Sequence, residues 1–339
     1  FVGLVRGYAE NKKPTMAVQW LDRLHAAGFT PTDTLLNGVL ASFCRLESSN
    51  RKDGLTDQSV AFFHRIKDTY HSEQTIPAYN ALLDLFSKHG LKESIDNLME
   101  LLHGRNISPN LITYNTLLHS CVRDADVDRA MKYFNDLENT DRLSPDVISY
   151  SSLLDMHAKR GDVITAQEIF DKMTSSGLKP DLIIMNNMID CFSQQGDLKT
   201  ASEWFEKIAE FNIQPDLVCY STMVKTSAKT GDIQSAEKWF ERMLKANVKP
   251  STISFNHLIQ SYSEIGKGYE GLQVLQKMSD YSVPADVVSY NEVIGGFASA
   301  RDFAGAEKTF NLMLSNDLEP DVWSYTIVSN AYAQIGDTT

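Results

Sequence analysis

One phrase of eight residues returns at a nearly fixed spacing along the chain, and this period limits the possible folds more than any other feature. The phrase is Leu-Ile-Thr-Tyr-Asn-Thr-Leu-Leu from Leu111, and it returns as Val-Ile-Ser-Tyr-Ser-Ser-Leu-Leu from Val147. With its first residue as position 1, repeat units begin at Asp33, Ile76, Leu111, Val147, Leu182, Leu217, Thr252, Val287 and Val322. Such a period predicts stacked copies of one helical or β unit, each burying its apolar face against the next.

The units are almost uniform in length, since six of the eight complete ones have 35 residues. Complete repeats span 33–75, 76–110, 111–146, 147–181, 182–216, 217–251, 252–286 and 287–321, between partial repeats at 1–32 and 322–339. One extra residue lies near Asn139-Thr140-Asp141, and eight lie in the polar stretch Glu47–Asp57, which we expect to form an extruded loop. A chain of 339 residues is near the limit for one globular core, and we interpret residues 1–339 as a single repeat array.

Each unit contains two helical patterns separated by a break. In the unit 147–181, apolar residues recur at helical spacing at Tyr150, Leu153 and Leu154, and again at Ala166, Ile169, Phe170 and Met173. The break between them is Gly161-Asp162, and it recurs as Gly196-Asp197, Gly231-Asp232 and Gly336-Asp337. Glycine can end the first helix in the left-handed conformation, and the Asp can cap the second helix. We therefore predict an all-α superhelix of helix-turn-helix repeats.

Hydroxyl residues stand at position 3 of several units, where we expect them to cap the first helix. They are Thr113, Ser149, Ser254, Ser289 and Ser324. Proline before the next unit, as in Pro180-Asp181 and Pro215-Asp216, is expected to stop the preceding second helix.

Composition and motif searches exclude several classes of protein. No run of 18 apolar residues occurs, so we expect no membrane span and no membrane partner. Four scattered cysteines form no C-x-x-C pair, which argues against a zinc knuckle and fits a reducing compartment. No metalloprotease, phosphate-loop, dinucleotide or hydrolase-elbow motif is present, so we expect no catalysis, metal, cofactor or small-molecule substrate. The chain begins at Phe1, and we interpret it as part of a longer protein that could carry a transit peptide.

The repeat resembles the pentatricopeptide repeat (PPR) in its plain 35-residue (P-type) form. The resemblance rests on Tyr-Asn at positions 4 and 5, on Gly at 15, Ala at 20 and Met at 27, and on Pro-Asp at 34 and 35. The tetratricopeptide repeat is also a helical hairpin, but it has a period of 34 residues and Gly near position 8, where this chain has Leu118, Leu154 and Ile189. PPR membership implies a right-handed superhelical solenoid that binds single-stranded RNA in mitochondria or plastids, where it stabilises, processes or translates transcripts. It also admits protein partners in an organellar ribonucleoprotein.

In the family, positions 5 and 35 of each repeat face one base. An ionised Asp at 35 only accepts hydrogen bonds and suits U or G, whereas Asn can donate and suits C or A. At position 5, Asn reaches a pyrimidine, and Ser leaves room for a purine. The candidate pairs are Asn80/Asn110, Asn115/Asp146, Ser151/Asp181, Asn186/Asp216, Ser221/Ser251, Asn256/Asp286 and Asn291/Asp321. Asn37/Thr75 adds a pyrimidine, and Ser221/Ser251 leans to A. The resemblance implies that the amino-terminal repeats bind the 5′ end, so the predicted site is 5′-YCUGUAUU-3′. The alternative is that each Asn and Asp serves only a turn or a helix cap.

Two further columns are candidates for RNA contact. Position 2, which family members use to sandwich bases, holds Ile112, Ile148, Ile183, Val218, Ile253 and Val288; inter-repeat packing is the alternative. The column is interrupted by Thr34 and Pro77, and Trp323 in the last partial repeat could stack on a base. Position 13 holds Arg45, Lys88, Arg123, Lys159 and Lys229, which could contact phosphates or merely compensate helix dipoles.

The net charge of −12 weighs against a nucleic-acid binder. We expect the acids Glu168, Asp171, Glu203, Glu206, Glu237 and Glu241 to lie on second helices, which would form the outer wall. The charge also keeps a second hypothesis open, in which the chain is a non-catalytic helical scaffold in an organellar ribosome or polymerase assembly.

Overall fold

The computed structural model describes residues 1–49 and 56–335, and within these residues every regular element is an α-helix. The first helices of the repeats are α1 (Val2–Glu10), α3 (Asp33–Ser49), α5 (Ile76–His89), α7 (Leu111–Asp124), α9 (Val147–Arg160), α11 (Leu182–Gln194), α13 (Leu217–Lys229), α15 (Thr252–Ser263), α17 (Val287–Ser299) and α19 (Val322–Ile335). The second helices are α2 (Pro14–Ala26), α4 (Thr56–Asp68), α6 (Lys92–Gly104), α8 (Val127–Asn139), α10 (Val163–Ser175), α12 (Leu198–Glu210), α14 (Ile233–Lys245), α16 (Gly268–Asp280) and α18 (Phe303–Ser315). The all-α solenoid of helix-turn-helix repeats is therefore confirmed.

Each complete unit begins where a first helix begins. The starts of α3, α5, α7 and α9 coincide with Asp33, Ile76, Leu111 and Val147, and the later units follow the same rule. The loop expected in the polar stretch after Glu47 falls on residues 50–55, which lie outside the described part of the chain.

The Gly-Asp breaks adopt the predicted conformations. Gly161, Gly196 and Gly231 have φ values of 65°, 70° and 69°, in the left-handed region that favours glycine. The following residues Asp162, Asp197 and Asp232 accept hydrogen bonds from backbone N–H groups in the first turn of α10, α12 and α14. The turn thus ends one helix and caps the next within two residues, which keeps each hairpin tight. The break at Gly336-Asp337 lies outside the described residues.

The caps of the first helices differ from the sequence prediction. The position-3 residues do not occupy the N-cap; the side chain at position 35 of the preceding unit does. Asn110 Oδ1 accepts from the backbone N–H of Thr113 at 3.0 Å, and Asp286 Oδ1 accepts from that of Ser289 at 2.9 Å. The hydroxyls of Thr113 and Ser289 accept in return from the backbone N–H of Asn110 and Asp286, which completes a capping box. Position 3 therefore supports the cap rather than forming it.

The chain forms two compact units, residues 1–156 and 157–339. In the first unit, α1, α3, α5 and α7 pack successively against one another, and in the second unit α11, α13, α15, α17 and α19 do the same. The second helices α10 and α12 are in contact through Phe170, which lies edge-on to Trp204 with ring centroids 4.8 Å apart. We refer to the surface formed by the first helices of each unit as the first-helix face.

Candidate nucleic-acid interface

The first-helix face carries a row of polar pairs formed by positions 5 and 35, which we name reading pairs. Position 5 lies in the second turn of a first helix, and position 35 caps the next first helix. In the first unit, Asn115 Nδ2 donates to Asp146 Oδ1 at 3.1 Å, and Asn80 Nδ2 donates to Asn110 Oδ1 at 3.2 Å. These residues are about 30 positions apart in sequence, and only the stacking of adjacent repeats brings them together.

The same contact recurs in the second unit. Asn256 Nδ2 donates to Asp286 Oδ1 and Asn291 Nδ2 donates to Asp321 Oδ1, both at 3.2 Å. Asp286 occupies the same place as the other position-35 residues although its proline, Pro284, stands two residues before it rather than one. The helix cap determines the position of the Asp286 carboxylate, and the shifted proline does not change that position.

Capping also favours the charged form of these carboxylates. Burial raises the pKa of Asp286, but hydrogen bonds from Ser289 and Asn256 outweigh it and hold the pKa below its usual value. Hydrogen bonds from the backbone and side chain of Ser324 lower the pKa of Asp321. Both groups are therefore ionised at neutral pH and can only accept hydrogen bonds from a ligand.

Hydroxyls at position 3 join three of the reading pairs, a contact that the sequence analysis missed. Ser149 Oγ donates to Asn115 Oδ1 at 2.6 Å, and Ser289 Oγ donates to Asn256 Oδ1 at 2.6 Å. In the Asn80/Asn110 pair, Thr113 Oγ1 donates to Asn80 Oδ1 at 2.7 Å. The capping-box spacing from position 35 to position 3 was the available signal, but it does not reveal the third partner from the neighbouring helix.

Other predicted readers have different surroundings. Asp181, Asp216 and Ser251 cap α11, α13 and α15. The side-chain oxygens Asn186 Oδ1, Ser221 Oγ and Asn291 Oδ1 are buried without a hydrogen-bond partner. Ser151 is half-buried in α9. In the first unit, Asn37 Nδ2 donates to Thr75 Oγ1 at 2.9 Å.

The position-2 residues are exposed. The exposed fractions are 62% for Ile112, 59% for Ile148, 60% for Ile183, 54% for Val218, 63% for Ile253 and 50% for Val288. Trp323 is 64% exposed at the same position. Side chains this open contribute little to packing between repeats, and a recurring row of exposed aliphatics is unusual on a soluble protein surface.

The five position-13 cations all lie on the surface near the ends of first helices. Lys88 Nζ lies 2.6 Å from Asp84 Oδ2, Arg123 Nε lies 3.7 Å from Asp124 Oδ1, and Lys229 Nζ donates to Gln194 Oε1 at 3.3 Å. Arg45 Nε donates to the carbonyl of Ala41, and Lys159 has other interactions. The exposed ion pair between Lys88 and Asp84 is of a kind that contributes little to stability.

The titratable residue His257 on this face lies in surroundings that displace its pKa. His257 lies at position 6 of α15, and its Nδ1 is buried without a partner. Burial lowers the pKa of His257 to about 4, and the charge of Lys225 adds to this effect. The imidazole is therefore neutral at physiological pH.

Neither metal ligation nor membrane spanning is indicated in the part of the chain that the structure describes. No group of three or more His, Cys, Asp or Glu side chains there could hold a metal ion, and no helix there has the length and apolarity needed to cross a membrane. Cys44, Cys121, Cys191 and Cys219 are all buried.

Two family models match the chain. The model of the pentacotripeptide-repeat region of PRORP matches residues 149–292, and that of the PPR repeat family matches 74–123, 109–159 and 285–334. A pentatricopeptide repeat-containing protein of Arabidopsis thaliana is 27% identical over 143 residues, which are 41% of this chain and 24% of the relative. A chloroplastic one is 23% identical over 40% of this chain and 26% of its own length. The chain thus spans about a quarter or less of the curated relatives it matches.

Solved structures show the same fold. The pentatricopeptide repeat protein PPR10 in complex with an 18-nt psaJ RNA element matches with a TM-score of 0.67 at 21% identity, over 98% of this chain and 52% of that one. The structure of PPR10 from maize matches with a TM-score of 0.54 at 20% identity, over 98% of this chain and 56% of that one.

Proposed function

We propose that this chain, which belongs to the pentatricopeptide repeat family, binds single-stranded RNA on its first-helix face with one base at each reading pair. The observation that carries the proposal is the recurring hydrogen bond between positions 5 and 35, as in Asn115/Asp146 and Asn256/Asp286. A helix cap alone requires no Asn in the adjacent repeat. PPR10, which has the same fold, has been solved with RNA.

The chemistry of each pair specifies which base it accepts. Asp146 uses Oδ1 for the cap and for Asn115, while its Oδ2 has only the longer contact of 3.4 Å with Asn115. The carboxylate therefore keeps an acceptor for the central N–H of uracil or guanine. Asn110, with an amide at the same place, can donate to cytosine or adenine. These rules yield the site 5′-YCUGUAUU-3′ for the eight complete repeats.

Exposed aliphatics and cations complete the proposed interface. Position-2 side chains such as Ile183 and Ile253 offer apolar surface on which bases can stack. The position-13 cations Arg45, Lys88, Arg123, Lys159 and Lys229 contact the phosphates.

The acidic total does not oppose this assignment. The acids predicted for the outer wall, Glu168, Asp171, Glu203, Glu206, Glu237 and Glu241, lie on second helices and are exposed. These six acidic side chains thus lie on second helices, whereas the reading pairs lie on the first-helix face.

The biological setting follows from the relatives. Several carry names that place them in mitochondria or chloroplasts. We propose that this chain is the RNA-binding part of an organellar factor for RNA processing, stability or translation, and that protein partners in a ribonucleoprotein join it there.

The experiment is a direct binding measurement with the RNA 5′-YCUGUAUU-3′ and a scrambled RNA of equal composition. We expect tighter binding to the predicted site, and weaker binding after I183S, which removes one stacking surface. The matched control is I164S, because Ile164 is 75% exposed on α10, outside the row of position-2 residues. Equal affinity for both RNAs, or equal losses in I183S and I164S, would contradict the proposal.

The scaffold hypothesis keeps one supporting observation, the loss of cations towards the end of the chain, where position 13 is Glu264 and Ser299. Salt dependence separates the two functions. If the chain contacts several phosphates of the RNA, the binding constant falls as salt is added, with a log–log slope of about −0.7 per phosphate contact. Weak binding that does not change with salt favours the scaffold.

A further inference from the structure

Three reading pairs hold their Asn by a position-3 hydroxyl, and one has a cysteine there instead. We infer that the position-3 residue sets how strictly the preceding pair discriminates its base, and that Cys219 makes the Asn186/Asp216 pair the permissive one. The inference rests on the proposed function, since it concerns how that same interface reads RNA.

The hydroxyl fixes which end of the Asn amide faces the carboxylate. At Asn115, Oδ1 accepts from Ser149 Oγ at 2.6 Å while Nδ2 donates to Asp146. Rotating this amide by half a turn would place its oxygen against the carboxylate and its NH₂ against the hydroxyl. Both original hydrogen bonds would be lost, and the amide oxygen would face a carboxylate that can only accept. Ser149 Oγ, which already accepts from the backbone N–H of Asp146, would have to accept from the NH₂ as well, so the donor end remains beside Asp146.

Cys219 occupies the equivalent place beside Asn186. Its backbone N–H donates to Asp216 Oδ1 at 3.0 Å, so the cap is intact. The side chain is fully buried, and burial raises the pKa of the thiol to about 12, which keeps it neutral. A thiol is a weak donor, and Asn186 Oδ1 is buried with no hydrogen-bond partner. Nothing on the position-3 side therefore holds the orientation of this amide.

A fixed amide and a free amide read pyrimidines differently. When the Asn NH₂ is held beside the Asp carboxylate, the NH₂ can donate to a carbonyl oxygen of uracil and the carboxylate can accept from its central N–H. Cytosine instead has the acceptor N3 at its centre, which repels the carboxylate. A free amide can turn its oxygen towards the exocyclic NH₂ of cytosine and recover one bond. Uracil at the fifth base of the site should therefore be less strictly required than uracil at the third, which Asn115 reads.

A hydroxyl at position 3 is needed to hold the Asn amide in one orientation, but its presence does not ensure that this hydrogen bond forms. Ser324 follows the Asn291/Asp321 pair and its Oγ lies 2.9 Å from Asp321 Oδ1, as those of Ser149 and Ser289 lie from their capping carboxylates, but Asn291 Oδ1 is buried without a partner. Rotation about one bond can redirect this hydroxyl, whereas no rotation turns a thiol into a comparable donor. The inference is therefore confined to Cys219.

Reciprocal substitutions test the inference. C219S supplies the missing hydroxyl at the fifth base, and S149C removes the hydroxyl at the third. Both residues are fully buried and nearly equal in size, and the capping backbone N–H is unchanged in each. C219T, which mimics Thr113, is a second variant, and thermal unfolding checks that each protein folds.

The measurement is the ratio of affinities for U over C, taken separately at the third and fifth bases of the predicted RNA. In the unaltered protein we expect the ratio to be larger at the third base. C219S should raise the ratio at the fifth base about fivefold, and S149C should lower it at the third by a similar factor, as for one hydrogen bond. Each substitution should leave the other base unchanged.

Two contrary outcomes are distinguishable. If the unaltered protein discriminates at the third base but neither C219S nor C219T alters the ratio at the fifth, the inference is overturned and the proposed function stands. If the unaltered protein has no base preference at any position, the proposed function fails, and this inference fails with it.

Discussion

At the scale of single residues, the side chain at position 35 caps a helix and is also the side chain that we propose as a base contact. Asp286 caps α17 with Oδ1 and accepts from Asn256 through the same atom. The cap orients the carboxylate without help from a ligand, so recognition costs little conformational entropy. The alternatives of helix cap and base reader, which the sequence left open, are therefore compatible in one residue.

Substitution S151N tests the role of position 5. Asn reaches further than Ser, and with Asp181 it reproduces the combination that we assign to uracil. We expect the fourth base of the site to change from G to U, with a swing of about five- to tenfold in relative affinity. Binding to RNAs that differ only at that base measures the change.

The control for S151N is the third base, which Asn115 reads and which should remain U. An unchanged preference for G at the fourth base in the variant would mean that position 5 does not select between purine and pyrimidine.

His257 predicts a dependence of stability on pH. Its pKa is about 4 in the fold, against 6.5 for the ordinary group, so the unfolded chain binds more protons between these values. The contribution of the neutral imidazole is therefore complete above pH 6.5 and is lost as pH falls towards 4. The full difference is on the order of 3 kcal/mol.

Denaturant unfolding of the protein and of H257Q at pH 7.5 and pH 4.5 measures this effect. We expect the free energy of unfolding to fall less between the two pH values in H257Q, because glutamine does not titrate. H103Q on α6 is the control for the loss of an exposed histidine. Equal falls in all three proteins would exclude the assignment to His257.

Two properties of single residues could not be predicted from the sequence: the exposure of the position-2 side chains and the hydrogen-bond partners of the Asn at position 5. Isoleucine is usually a packing residue, so the sequence alone did not reveal that Ile112 and Ile253 are more than half exposed in the stacked helices. Asn186 matches Asn115 in the repeat, yet its Oδ1 has no partner, whereas Asn115 Oδ1 accepts from Ser149 Oγ. Such differences depend on contacts between repeats rather than on the motif within one.

At the scale of elements, the hairpins follow closely from local sequence. The Gly-Asp turn was predictable at Gly231-Asp232 because it needs only a left-handed residue followed by a capping carboxylate. The cap of the first helix was misplaced by three residues, since Ser and Asp are both good caps and both were present. The structure assigns the N-cap to position 35 and the supporting hydroxyl to position 3.

Substitution D232A tests the hairpin turn. Asp232 Oδ1 accepts from the backbone N–H of Ser235 at 3.0 Å and caps α14. Removing the cap should lower the free energy of unfolding by about 1 kcal/mol. E203A removes one negative charge from the exposed surface of α12 and should change stability far less. Denaturant unfolding compares the two, and equal losses would contradict a capping role.

At the scale of the whole molecule, the 35-residue period predicted the family and the fold, which the family models and PPR10 confirm. It could not predict how the reading pairs are held, because the period averages over repeats whereas the contacts differ among them. Asn256 and Asn186 are both paired with Asp at position 35, but Asn256 Oδ1 accepts from a hydroxyl and Asn186 Oδ1 has no partner. The repeats are therefore alike in their motif but unequal in the hydrogen bonds of the Asn at position 5.

The most direct test of sequence-specific RNA binding is a selection from a pool of randomised single-stranded RNA with the purified chain. We expect enrichment of sequences close to 5′-YCUGUAUU-3′, with G at the fourth base and the fifth base shared between U and C. Enrichment of no sequence, or of one that differs at the bases assigned to Asn80, Asn115 and Asn256, would contradict the account.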